Sequence, residues 1–298
     1  MKWPYIDFMG KRNILFAISG VVVAIAIAAL LLRGLTLGIE FKGGTVITLK
    51  TATTTIEQVR TAASDARVAA ASVQSTERGF IVRSTETDTR VSEQEATKLG
   101  DLLKIAPTNV QVSTIGPEWG ANITNAALLA LSVSIIAILV YISIRFEYKM
   151  AVTGVIALVH DAVITLGIYS LVGREVTPNT VAALLTILGY SLYDTIVVFH
   201  RIRENTPNLT KKTFMAMAND SLNQVLARWV NTGMASVIPV VTLLLIGGST
   251  LKDFAFALTI GLLSGAYSSV ALASPLYALW KEREPRFQAL KKRFEGAR

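Results

Sequence analysis

Apolar positions along this chain follow two regimes. In six blocks, at about 13–33, 122–144, 150–172, 179–199, 229–247 and 254–280, they run on with few charges. Each block is long enough for a membrane-spanning helix, which needs about 20 residues at 1.5 Å rise. The last is long enough to tilt or to extend past the bilayer. Between the first two blocks, residues 34–120 switch to short alternations of apolar and polar positions separated by helical patterns. The expected fold class is an α-helical polytopic membrane protein, six transmembrane helices with one α+β domain between helices 1 and 2.

Inside 34–120, "GGTVITLK" alternates as a strand does, and the preceding "LTLGIEF" offers an extra one. "TIEQVRTAASDARV" reads as a helix opened by a capping box, Thr55 with Gln58 three residues on. "AAASVQST" and "FIVRST", joined at Arg78-Gly79, read as a hairpin. A second capping box, Ser92 with Glu95, opens "SEQEATKLGDLLK", and "NVQVSTIG" closes the set as a strand. The order β-α-β-β-α-β is the split arrangement of ferredoxin-like domains. It carries no nucleophile-base pair, metal spacing or phosphate loop, and a fold alone carries no chemistry. Gly43 and Gly44 are expected to bend the chain as it leaves the membrane for the domain.

Composition agrees with the pattern. Of the 298 residues, 52% are hydrophobic and mean hydropathy is +0.49, above the usual soluble range. Lys2, Lys11 and Arg12 precede the first block, but its apolar run is too long for a signal peptide and "LLLRGLTLG" has no small-x-small cleavage site; it reads as an uncleaved anchor. Lys and Arg gather in alternate connections: Lys2, Lys11 and Arg12; Arg145 and Lys149; Arg201, Arg203, Lys211, Lys212 and Arg228; and seven more from Lys281 to Arg298. The opposite short loops hold Arg174 and Lys252. The positive-inside rule then predicts both termini in the cytoplasm and the 34–120 domain in the periplasm. Four parts follow: 1–33 with helix 1, the ferredoxin-like domain at 34–120, helices 2–6 over 121–280, and a basic tail at 281–298. The net charge of +8 has this topological explanation, so nucleic-acid binding is not expected. Without cysteine and with two histidines, neither thiol chemistry nor a structural zinc site is expected, and no cofactor is implied.

Two acids lie inside apolar blocks, Asp161 in "IALVHDAVITLG" and Asp194 in "LTILGYSLYDTIVVFHRIREN". A carboxylate at the centre of a bilayer costs roughly 2.5–3.5 kcal/mol on insertion scales, so each asks for a partner or a use. Positions three and four apart share a helix face. Thr186, Tyr190, Ser191 and Arg201 share one with Asp194, with Tyr193 and His200 alongside. His160 neighbours Asp161, Arg228 opens the fifth block, and Thr232 continues its stripe. Ala257, Gly261, Ser264, Gly265 and Ser268 give the sixth a small-residue face for close helix approach, expected to meet a partner helix. Three readings use such a seam: a proton-driven machine in which Arg228 toggles Asp194, an intramembrane aspartyl protease, and a structural subunit. The protease lacks its G-x-G-D signature, since Asp161 stands in "LVHD". In the structural reading the acids only fix helix packing.

"GIEFKGGT" (38–45), "IGPEWG" (115–120), "ALVHDAVITLG" (157–167), the block 180–205 and "LNQVLARWVNTGMAS" (222–236) resemble segments of the SecF family of protein-export membrane proteins. That family is grouped with SecD in the resistance-nodulation-division superfamily. The resemblance spans nearly the whole chain. It implies a multi-pass subunit of the bacterial inner membrane, working with SecD beside the SecY-E-G translocon on a translocating unfolded polypeptide, and using protons moving through the membrane. It is not an enzyme on this reading, and membrane lipids are its surroundings. The proton-conducting positions implied are Asp194 and Arg228, with Asp161, His160, Tyr190, Tyr193, Thr186, Thr232 and His200 as a supporting polar seam and Gly261 and Gly265 in helix packing. Glu40, Tyr193 and His200 depart from the family's usual Asp, Asn and Asp, and His200 changes the charge at the cytoplasmic mouth. The alternative within the superfamily is a proton-coupled half-transporter exporting small molecules or lipids.

Overall fold

The computed structural model describes residues 4–69, 72–76 and 78–295. Its elements, in chain order, begin with α1 (Arg12–Arg33), β1 (Thr36–Leu37), α2 (Ile39–Lys42) and β2 (Gly44–Lys50). Then come α3 (Ile56–Asp65), β3 (Ser72–Thr76), β4 (Gly79–Ser84), α4 (Thr89–Leu102) and β5 (Val110–Ile115). The remainder is α5 (Pro117–Arg145), α6 (Tyr148–Val172), β6 (Glu175–Val176), α7 (Pro178–Asn205), α8 (Phe214–Ile246), α9 (Ser249–Ser268), α10 (Ser274–Glu282) and α11 (Pro285–Glu295). Among the described residues six helical stretches are long and apolar enough to cross a membrane: α1, α5, α6, α7, α8, and α9 with α10. The fifth begins well before the apolar block at 229, because its first half is an amphipathic continuation capped by Thr213, whose hydroxyl accepts from Ala216 N at 3.2 Å.

The chain divides into two compact units. One holds residues 36–130 and 175–178. Its sheet runs β3-β4-β2-β5, every pair antiparallel, with Ile47 opposite Val82 on one side and Val112 on the other. Alternate residues of β2 and β4, Ile47, Leu49, Phe80 and Val82, turn inward and meet Val59, Ala62 and Ala63 of α3 and Ala96 and Leu99 of α4. The capping box of α3 forms as its sequence demands: Gln58 N donates to Thr55 Oγ1 at 3.4 Å, and Thr55 N to Gln58 Oε1 at 2.9 Å. The second expected box does not form. α4 starts four residues earlier, where Asp88 Oδ1 accepts from Arg90 N at 2.8 Å and Val91 N at 3.2 Å. Ser92 is drawn into the core instead, its hydroxyl 2.6 Å from Thr45 Oγ1. Ala70, Ala71 and Glu77 of the expected hairpin lie outside the described residues. "LTLGIEF" does not extend the main sheet. It supplies β1, which pairs in parallel with β6, and the short α2.

Gly43 and Gly44 join α2 to β2 with φ of +75° and +129°. A Cβ at Gly43 would stand 3.0 Å from Pro117 Cα, and one at Gly44 2.7 Å from the Ser84 carbonyl oxygen. Both the backbone conformation and the crowding require glycine.

The other unit holds residues 1–35, 131–174 and 179–298. α1 lies against α6, where Gly167 leaves no room for a Cβ beside Ala26 and Ser170 Oγ donates to the carbonyls of Ala29 at 2.9 Å and Gly34 at 2.7 Å. At the end of the bundle that carries both termini, Asn219 Oδ1 accepts from Phe8 N at 2.8 Å and Met9 N at 3.1 Å, strapping the N-terminal segment to α8. From the C-terminal side, α11 inserts the buried Phe287 against Phe214 and joins the Tyr277–Phe199 cluster. Lys149 Nζ and Lys281 Nζ both reach Glu284, at 2.7 and 3.0 Å. Burial pushes the Glu284 carboxyl up, but these two ammonium groups outweigh it and hold it below the usual range.

Glu95 gives the sheet unit a pH dependence. It is buried on α4 and its Oε2 has no hydrogen-bond partner. Burial, the largest influence, pushes its carboxyl above the usual range; Glu86 adds to this, while bonds to the Ala69 backbone and the Ser84 hydroxyl pull the other way. A raised folded-state value means stability that is present at low pH and lost as pH rises through that value. Glu95→Gln should therefore raise hydrogen-exchange protection of the β2 and β4 amides of the full chain at pH 7. The gain should fade towards about pH 4, the ordinary glutamate range. Parallel pH profiles for the two proteins would count against this account.

Candidate functional site

The two membrane-embedded acids occupy opposite electrostatic situations. Asp161 on α6 is fully buried and accepts from three serine hydroxyls, with His160 beside it. Ser191 Oγ of α7 and Ser268 Oγ of α9 reach its Oδ2 at 2.7 and 2.8 Å. Ser264 Oγ of α9 reaches Oδ1 at 2.7 Å, and His160 Nδ1 lies 3.1 Å from the same atom. Intramembrane hydroxyl bonds are worth roughly 0.6–2 kcal/mol each, so three of them offset the roughly 2.5–3.5 kcal/mol of placing the charge there. Asp161 is thus a node binding three spans, a use that its neighbours in sequence do not announce.

Gly261 and Gly265 serve this node. A Cβ on Gly265 would stand 2.8 Å from Ser191 Cβ and 3.4 Å from Asp161 Oδ2, and one on Gly261 would collide with the Ile187 side chain. The small face of α9 therefore packs on α7 within the chain, correcting the expectation that it meets a partner helix. Directly after it, Ser269–Ala273 form a π-helical turn before α10. Pro275 explains the turn, since it has no N–H to continue the ladder. Ser274 Oγ donates to the Ser269 carbonyl at 2.7 Å in compensation. Ser269 Oγ also donates to the Gly265 carbonyl at 2.8 Å and lies 2.9 Å from Thr195 Oγ1.

Asp194, on α7 one turn from Ser191, is 3% exposed, yet its Oδ2 has no partner. No ion pair joins it to Arg228 among the described residues. The Arg228 side chain is exposed in a cleft of about 510 Å³ with His200, Arg201 and Gln224. Tyr190 OH donates to the Thr232 carbonyl at 3.0 Å, linking α7 to α8 one turn from Asp194. Thr186 and Tyr193 lie on the exposed side of α7, Tyr193 at 55%, and His200 is exposed as well. The expected single seam is therefore three separate features: the Asp161–His160 node, the Tyr190–Thr232 rung beside Asp194, and an outer cleft holding His200 and Arg228. Sequence reasoning noted Ser264 and Ser268 only for their size. Their spacing of four in an apolar helix was the available signal that two hydroxyls share a face with one acid's needs.

Residues 95–283 match the family described as "Protein export membrane protein SecD/SecF, C-terminal", which covers more than half of the chain. The chain belongs to this family. Residues 28–55 match the "SecD/SecF GG Motif", which contains the Gly43-Gly44 junction described above. The protein translocase subunit SecF of Streptomyces coelicolor is 42% identical over 96% of this chain and 80% of its own length. That of Calditerrivibrio nitroreducens is 38% identical over 94% and 96%. The crystal structure of SecDF from Thermus thermophilus, titled a translocon-associated membrane protein, superposes with a TM-score of 0.87 at 34% identity. The match takes in 94% of this chain and 39% of that longer one. The relatives of this SecD/SecF chain are thus named as translocase subunits and not as enzymes.

The contrast between the acids predicts opposite responses to the same change. Asp161→Asn places an amide among three serine hydroxyls and His160, loses charge-assisted bonds worth about 1.5–3 kcal/mol each, and should lower the unfolding temperature in detergent. Asp194→Asn, at a group whose Oδ2 is bonded to nothing, should leave it unchanged. Gly265→Leu should behave as Asp161→Asn does, because it drives Ser191 away from the node. Equal unfolding temperatures for wild type and Asp161→Asn would refute the node.

Proposed function

We propose that this chain is the SecF-type subunit of a SecD–SecF accessory complex of the protein-export translocon. On this reading it uses the proton gradient to promote late steps of protein translocation across the bacterial inner membrane. The observation carrying it is the pairing of family membership with a buried carboxyl, Asp194, that no internal donor claims. A proton crossing the membrane potential releases roughly 2.3 kcal/mol per 100 mV, enough to bias a motion of packed helices. Arg228, at the cleft one turn towards the termini, would bias which state Asp194 holds. Asp161 is assigned a structural role, and Tyr193, Thr186 and His200 stand outside the proton site. SecD, the SecY-E-G translocon and the emerging polypeptide are the partners implied.

The topology proposed with it has both termini in the cytoplasm and the sheet unit in the periplasm, supported by the Lys/Arg asymmetry. We read the sheet unit as ferredoxin-like, supported by its β3-β4-β2-β5 order with α3 and α4 on one face. The division of the chain at 33, 120 and 280 remains part of this proposal.

Two experiments test the reading. The chain has no cysteine, so single cysteines at the exposed positions Thr87 and Asn208 report sidedness directly. A membrane-impermeant maleimide added outside should label Thr87→Cys and spare Asn208→Cys; equal labelling would overturn the topology. For the mechanism, export into inverted membrane vesicles is started from a translocation intermediate, so that ATP-driven steps are excluded, and a proton gradient is imposed. Asp194→Asn should assemble normally and lose the gradient-stimulated part of export. Persistence of that stimulation in the assembled variant would show that the carboxyl is not the proton carrier.

A further inference from the structure

Two buried polar atoms without a partner lie on facing helices of the α7–α8 pair, Oδ2 of Asp194 and Nε1 of Trp229. The antiparallel register is given by three bonds. Tyr190 OH reaches the Thr232 carbonyl at 3.0 Å, Arg201 Nε reaches Gln224 Oε1 at 2.6 Å, and Asn205 Nδ2 reaches Ser221 Oγ at 2.8 Å. From the first of these rungs, one helical turn along α7 leads to Asp194, and one turn back along α8 leads to Trp229. The two residues therefore share a level. Trp229 packs against the apolar cluster that contains Leu188, Leu192 and Val198 of α7, so its ring faces the interior. Its neighbour Arg228 lines the outer cleft instead. One atom is an acceptor lacking a donor, the other a donor lacking an acceptor, and a buried indole N–H ordinarily finds a partner.

We propose that Trp229 is a positioning residue for Asp194. Its indole N–H donates to Asp194 Oδ2, directly or through one water, when the carboxyl is ionised, and releases it when the carboxyl takes up a proton. The inference rests on the reading of Asp194 as the proton-exchanging group and adds the element that senses its state. A neutral donor suits that task. A guanidinium in contact would favour the charged form so strongly that the proton would seldom return, whereas an indole holds the anion and still lets it be neutralised. Because Trp229 sits on α8, making and breaking this bond draws α8 towards α7 and lets it go.

Other titratable or charged groups surround the junction: Tyr190, Tyr193, His200 and Arg201 on α7, Arg228 on α8, His160 and Asp161 on α6, and Tyr267 on α9. The test must single out Asp194 among them. The full chain, labelled with 15N at its tryptophan indoles and placed in phospholipid nanodiscs, is followed by NMR from pH 5 to pH 8. The Trp229 signal is the one missing from Trp229→Phe. It should move downfield through a single step as pH rises, and the step should vanish in Asp194→Asn while the Trp119 and Trp280 signals stay in place. A Trp229 signal that ignores pH in the wild type, or that keeps its step in Asp194→Asn, overturns the proposal. Should Asp194→Asn displace the other indole signals, the infrared carboxyl bands of wild type and Trp229→Phe decide. A band that shifts on loss of the N–H supports the bond, and identical bands overturn it. The result is independent of export: if the signal follows Asp194 but Asp194→Asn still exports with the gradient, the bond stands and the proton-carrier reading falls.

Discussion

A carboxylate cannot stay in hydrocarbon without donors, and Asp161 meets that constraint by recruiting three spans at once. Much else in the bundle follows. Ser191 must stand on the face of α7 that meets α9, so α7 is fixed in rotation. Gly265 must lack a side chain, because any Cβ there would push Ser191 off the node. Ser264 and Ser268 must lie one turn apart on α9, which fixes that helix in rotation too. The π-turn at Ser269–Ala273 then lets α10 leave on a different azimuth without breaking the node. A single unmet acceptor thus sets three helix orientations, and the apolar packing around it only has to fill the remaining space.

The second acid, Asp194, is informative because it is not treated in the same way. It lies one turn from Ser191 on the same helix, where a further hydroxyl would satisfy it, and nothing satisfies its Oδ2. Thr195 beside it turns to Ser269 and the Ser191 carbonyl instead. Packing that can give one acid three serine donors and leaves its neighbour short separates a structural charge from one that is kept available. Burial alone does not make this distinction, since both residues are almost fully enclosed. The count of donors does.

Much of the architecture was legible in the sequence because its signals are long or local. Twenty-residue apolar runs and the period-two stretch at 44–50 leave few alternatives, and Thr55 with Gln58 meets its own backbone within one turn. Most of the failures are non-local. Ser92 fits a capping box as well as Asp88 fits an N-cap, and only the hydroxyl of Thr45, far away in sequence, decides between them. The parallel pairing of β1 with β6 joins segments more than 130 residues apart, and β6 is too short to show a period. At the site, both acids stood out by cost, but their different fates depended on which faces of α7 and α9 meet. The stripe that joined Thr186, Tyr193 and His200 to Asp194 was too wide: those three are seven apart and share a face with one another, but that face is turned about 80–120° away from Asp194 and is exposed.

The same geometry locates where the bundle can yield. α6, α7 and α9 are tied by the node through their buried middles, and α1 is held to α6 by the Gly167–Ala26 contact and the Ser170 bonds. α8 is held differently. Near the termini it is strapped by the N-terminal segment through Asn219 and Asn223 and bonded to Arg201 and Asn205 of α7. Beyond Thr232 its apolar half is uncovered on its outer side, with Ile238, Leu245 and Ile246 exposed. α8 packs along α9, to which a two-residue turn joins it, and takes one bond from α7 at Thr232. Among the described residues it has no node of several donors at its centre, and an element tied so lightly there yields more cheaply than one bonded through its buried middle. Asp194 and Trp229 lie one turn from that rung, where a single further bond made or lost changes how α8 is tied to α7. A proton delivered to Asp161 would have to break a node of three serine donors before anything moved; one delivered to Asp194 has only the proposed Trp229 bond to release.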